Sequence, residues 1–138
     1  MTTPFGLTLN NPGNLRATFS ILWRGQVGAV NGFCCFDSLE NGARAMAIDL
    51  MNAQVIHELD TVNQIISRYA PEVENNTTAY INAVCADMGV TQDQPLDLKD
   101  RGTLYSLCAA VWHHEQGQQA DVPTLMAGVQ RALGISSL

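Results

Sequence analysis

From position 38 onward the apolar residues recur at intervals of three and four, which is the spacing of one buried helix face. Ala43, Met46, Ala47, Leu50 and Met51 form such a stripe, and Ser38 stands where a hydroxyl can cap the free amides. The pattern predicts a helix from about 39 to 54. Val62, Ile65 and Ile66 mark a shorter helix capped by Asp60 or Thr61, which must stop near Tyr69 because Pro71 disfavours helical geometry before it. Tyr80, Ile81, Val84, Cys85 and Met88 form a third stripe, begun by Asn76 or Thr77 and ended by Gly89. Residues 90 to 97 read as a loop. Leu104, Leu107, Cys108 and Val111 define a fourth helix, opened by Asp97 or Asp100, reaching His114 and Glu115 and terminated by Gly117. Asp121 and Pro123 start a last helix that Gly134 closes.

The first 37 residues carry a different pattern. Asn, Gly and Pro dominate the opening, and β-forming runs follow: FSILW, then RGQVGAVNG, then FCCF. This reads as a loop leading into a two- or three-stranded ribbon with glycine-bearing turns. Five helices and a ribbon near the N-terminus describe a mostly helical α+β domain. With no repeat, linker or low-complexity run, residues 1–138 are expected to form one domain.

Composition narrows the function. Seven Lys and Arg against 13 Asp and Glu give a net charge of -6, which argues against a protein that tracks nucleic-acid phosphates. No run of about 18 apolar residues exists to span a membrane. The opening MTTPFGLTLN lacks a basic region followed by an apolar core, so synthesis in the cytoplasm without a signal peptide is expected. Cys34, Cys35, Cys85 and Cys108 form no metal-binding pairs; Cys85 and Cys108 lie on apolar stripes, and one of the neighbours Cys34 and Cys35 should face inward. His113, His114 and Glu115 are consecutive on a helix, about 100° apart, and cannot chelate one ion. Neither a metal nor another cofactor is implied.

The segments NNPGNLR (10–16), WRG (23–25), FCCFDSLENGARA (33–45), DTVNQIISRYAPEVENNTTAYINAV (60–84) and HEQG (114–117) form an ordered set. Together they resemble a family of phage proteins labelled virion structural protein or phage lysozyme-like protein. That family's pattern runs NNPGNIR, W-x-G, F-x-x-F, G-x-RA, T-x-x-II-x-x-[WY]AP, ENxT-x-x-Y and E-x-G. The resemblance covers almost the whole chain and implies a lysozyme-like fold acting on peptidoglycan. The order of motifs also resembles flagellar-type glucosaminidases of the lysozyme superfamily, whose catalytic Glu lies on a helix before the Asn/Gly loop. Here only nine residues precede that loop. A circularly permuted arrangement, in which the helix ending in HEQG packs beside NNPGNLR, would restore the acid to its place.

Cleaving a glycosidic bond needs a carboxylic acid that keeps its proton near neutral pH, and burial is the usual means. Glu115 follows an apolar helix face beside Trp112, at a helix C-terminus whose free carbonyls also disfavour a carboxylate, so it is the expected general acid. Glu40 and Glu74 are its rivals. Glu40 falls in the first turn of a helix, where negative charge is stabilised; Glu74, in ENNT, could serve as a second carboxylate or as a loop hydrogen-bonder. The amides of Asn10, Asn11 and Asn14 can donate to and accept from sugar hydroxyls and acetamido groups, or equally build an Asn/Pro/Gly turn. Arg16, Tyr69 and Tyr80 complete the expected substrate-binding set, although Tyr69, Tyr80 and Trp23 could either stack on sugar rings or simply fill the core.

The expected activity is cleavage of the peptidoglycan glycan strand, as a muramidase, a glucosaminidase or a lytic transglycosylase. The cell wall then lies beyond the site of synthesis, so delivery by release, a virion or a secretion apparatus is implied. Two alternatives stand beside it: a non-catalytic virion or wall-binding protein, and an interbacterial toxin plugged by a cognate immunity protein.

Overall fold

The computed structural model describes residues 2–134. The element order is α1 (Phe5–Thr8), β1 (Gln26–Val30), β2 (Phe33–Phe36), α2 (Leu39–Val55), α3 (Val62–Tyr69), α4 (Thr77–Met88), α5 (Arg101–Gln116) and α6 (Val122–Ala132). This is an α+β fold, mostly helical, with a small antiparallel ribbon near the N-terminus.

The helix ends follow local chemistry. Ser38, Thr61, Asn76, Asp100 and Asp121 each accept a hydrogen bond from a backbone N–H in the first turn of their helix. Gly89 and Gly117 end α4 and α5 in the left-handed conformation. The one-turn α1 is absent from the sequence reading because four residues are too few to display a period.

β1 and β2 form a hairpin whose two-residue turn, Asn31–Gly32, holds both residues at positive φ, as such turns require. Segment 15–17 runs beside it: Cys34 N–H donates to the Leu15 carbonyl, Ala17 N–H donates to the Gly32 carbonyl, and Arg16 makes an isolated bridge to Phe33. The run FSILW, expected to be extended ribbon, is not a strand. Phe19 and Leu22 stand in solvent, and β-forming side chains make no strand without a neighbouring edge to pair with.

Helix α2 is the spine of the molecule, with α6, α5 and α3 packed against it. Met46, Leu50, Ile65, Ile66, Leu98, Leu104, Leu107, Trp112 and Leu125 fill the main core, each aliphatic side chain contributing roughly 1.5–3 kcal/mol of burial. A smaller cluster of Leu15, Cys34, Phe36 and Ala45 seats the ribbon on the outer face of α2. Cys34 and Cys108 are buried, while Cys35 and Cys85 are partly exposed. Among the described residues no helix is long and apolar enough to cross a membrane.

Candidate active site

The NNPGNLR segment is a loop folded around one amide. Asn11 Nδ2 donates to the carbonyls of Leu15 and Cys34 at 3.0 Å each, and its Oδ1 accepts from Leu15 N–H at 2.9 Å. Every polar atom of that side chain is used inside the protein. Asn10 and Asn14 take left-handed backbone angles, which Asn tolerates better than most residues. The loop lies tightly on α2 and α3. A Cβ at Gly42 would run into the Asn10 carbonyl, and one at Gly13 would run into the Tyr69 hydroxyl.

Against this loop comes the end of α5. Gln116 is buried and its Nε2 donates to the Pro12 carbonyl at 2.9 Å and to Asn14 Oδ1 at 3.1 Å. Glu115, one residue earlier and half-buried, meets Asn14 from the other side: Asn14 Nδ2 donates to Glu115 Oε1 at 2.8 Å. Tyr80 on α4 donates its hydroxyl to Glu115 Oε2 at 2.7 Å. The carboxylate is therefore gripped on both oxygens by residues 101 and 35 positions away.

Both tyrosines near it stay phenols. Burial raises the Tyr80 hydroxyl far above its usual range, and the neighbouring Glu115 charge and hydrogen bond push the same way. Burial likewise raises Tyr69, with Tyr80, Glu115 and Asp49 adding to the effect. Tyr69 spends its proton on the Gly13 carbonyl at 2.6 Å. The Tyr80 ring also lies on the His114 ring, with centroids 3.8 Å apart.

Glu115 opens onto a groove of about 510 Å³ whose walls include Asn14, Trp23, Asp49, Tyr69, Glu74 and Arg16. That volume lies within the roughly 300–1,000 Å³ of clefts that hold small ligands. At the rim Arg16 Nε meets Glu74 Oε2 at 3.1 Å, and the guanidinium lies 4.7 Å over the Phe33 ring. Both partners are about half exposed, so this pair shapes the rim more than it stabilises the fold.

Several expected residues have other places. Asn11 is 0 % exposed and holds the loop together, so it presents nothing to a sugar. Tyr80 is 1 % exposed; it reaches Glu115 with its hydroxyl but forms no wall of the groove. Glu40 lies in the first turn of α2 and does not border the groove, whereas Glu74 does, tied to Arg16. Arg16, Asn14 and Tyr69 line the groove. His113 pairs with Asp87 at 2.7 Å, and no group of three metal-ligating side chains forms among the described residues.

Of the three carboxylates that line the groove, Asp49, Glu74 and Glu115, one escaped the sequence reading. Asp49 lies on α2, four residues after the buried Ala45 and three after the buried Met46, so its side chain stands at the edge of the apolar face. A carboxylate flanking an otherwise apolar stripe was the available signal.

No family model matches the chain, so the lysozyme-like resemblance rests on the motifs themselves. The chain is similar to Protein P5 of Pseudoalteromonas phage PM2, with 34% identity over 96 residues. The match takes in 67% of this chain, and the chain spans about 60% of the phage protein's length. Sequence similarity thus ties a protein with this carboxylate-bearing groove to a bacteriophage.

Proposed function

We propose that this chain cleaves the glycan strand of peptidoglycan, with Glu115 as the general acid that protonates the leaving glycosidic oxygen. The observation that carries the reading is the grip on one carboxylate at the wall of a sugar-sized groove, made by Asn14 and Tyr80 together. Such a grip fixes the carboxyl where a substrate oxygen could meet it, and pre-positioning of that kind is what catalysis requires of an acid. Asn14, Arg16, Trp23 and Tyr69 supply the mixed amide, cationic and aromatic wall that sugar rings and acetamido groups bind.

Clearing of suspended bacterial cell walls tests the proposal. The wild-type chain is expected to clear them and Glu115→Gln to leave them intact; equal clearing by both proteins rejects Glu115 as the acid. The second reading, a wall-binding or virion component without catalysis, draws on the similarity to a phage protein. It predicts co-sedimentation with walls and no release of glycan fragments.

A further inference from the structure

Resting on that reading, we propose that Asp49 is the second catalytic carboxylate, the base that takes a proton from the water attacking the anomeric carbon. Asp49 and Glu115 arise from different helices, α2 and α5, and border the same groove. The side chain of Asp49 is only 23 % exposed, yet among the described residues no N–H or O–H donates to it within hydrogen-bond distance. Its one partner is Arg68, whose Nη1 stands 3.8 Å from Oδ1, too far for a hydrogen bond. With no donor on it, the carboxylate keeps its lone pairs available to whatever enters the groove. Its open face turns to the groove that Glu115 also borders.

The environment suits a base. Burial raises the Asp49 carboxyl above the usual aspartate value, with the charges of Arg68 and His57 pulling the other way, so it binds a proton more readily than a solvated aspartate. Glu115 differs in having both oxygens already occupied by donors. The two carboxylates are thus equipped differently, one anchored by two donors and one with none.

The step is a hydrolysis. Glu115 gives its proton to the glycosidic oxygen as the bond from that oxygen to the anomeric carbon breaks, and the leaving sugar departs as an alcohol. Water adds its oxygen to the anomeric carbon and passes a proton to Asp49. Solvent then returns a proton to Glu115 and removes one from Asp49. The product carries a free reducing end whose oxygen comes from water.

The test uses the full chain on purified peptidoglycan, with Asp49→Asn, Asp49→Ala and Glu115→Gln compared at matched folding by circular dichroism. Asp49→Asn is expected to lose on the order of 100-fold in glycan release. Sodium azide should restore cleavage to Asp49→Ala, yielding a glycosyl azide, and the wild-type reaction in ¹⁸O water should label the new reducing end. Full activity in Asp49→Asn with a dead Glu115→Gln overturns the role of Asp49 and leaves the proposed function standing. Anhydro ends from the wild-type protein, or loss in the Asp49 variants without azide rescue, also overturn it. A wild-type chain that releases no glycan from any wall overturns the proposed function, and this inference with it.

Discussion

Tyr80 and Glu115 lie 35 residues apart on two neighbouring helices and meet in a single hydrogen bond of 2.7 Å, phenol to carboxylate. Tyr80 is also almost completely buried, so the carboxyl is held from beneath by a donor that solvent does not reach.

Tyr80→Phe removes that donor and keeps the ring. Glu115 then retains Asn14 alone, and we expect roughly a tenfold loss of wall clearing with about 1 kcal/mol of lost stability. Clearing rates and urea unfolding of the two proteins measure both quantities. Unchanged clearing by the phenylalanine variant would show that Tyr80 serves only to fill space.

Asn11 and Asn14, three residues apart in one loop, should respond oppositely to alanine. Asn11→Ala strands the Leu15 N–H and takes the amide donor from the Leu15 and Cys34 carbonyls, the first of which keeps Cys34 N–H, and a loss of about 1–3 kcal/mol is expected. Asn14→Ala leaves that network alone but frees Glu115 and Gln116, so it should cost activity more than stability. Paired denaturation and clearing assays separate the two; a reversed ranking would show that the loop is not built around Asn11.

Gly13→Ala places a methyl group against the Tyr69 hydroxyl and Met46. We expect a loss of roughly 1–3 kcal/mol from the crowding. Tyr69→Phe removes the crowded oxygen, so the double variant should lose less than the sum of the single ones. Strict additivity in thermal melts would show that position 13 does not press on Tyr69.

Asp49 predicts a trade between stability and function. Its folded-state carboxyl titrates above the unfolded value, chiefly because of burial. The folded protein therefore binds the proton more tightly; the resulting stabilisation is fully present below about pH 3.9, the unfolded aspartate value, and is lost as pH rises through the folded value. Asp49→Asn, which carries no charge at any pH, should melt at a higher temperature than wild type at neutral pH. That advantage should shrink toward zero in acid. A variant less stable than wild type at pH 7 would show that pairing with Arg68 outweighs the cost of burial.

Short-range rules carried much of the architecture. The intervals among Ala43, Met46, Ala47 and Leu50, and among Leu104, Leu107, Cys108 and Val111, located α2 and α5, since a helix is dictated by contacts three and four residues apart. The capping residues Ser38 and Asp121 and the stops at Gly89 and Gly117 are equally local, each a side chain or backbone angle acting within one turn. The FSILW run misled for the complementary reason: a strand is made by its partner, and nothing in those five letters says that no edge waits for them.

Glu115 could be picked out as a candidate from its place at a helix end, but its surroundings could not. Its contacts come from residues 14 and 80, and the division of labour among the loop asparagines, with Asn11 inside and Asn14 at the groove, depends on which way α5 arrives. Asp49 illustrates the limit most clearly. Along the chain it is one acid at the margin of an apolar stripe; only the packing of α2 against the loop, α3 and α5 partly screens it from water and places it on the groove that Glu115 borders. Periodicity and caps are settled by neighbours along the backbone, whereas burial and pairing across the fold are settled by the enclosure that distant segments make together.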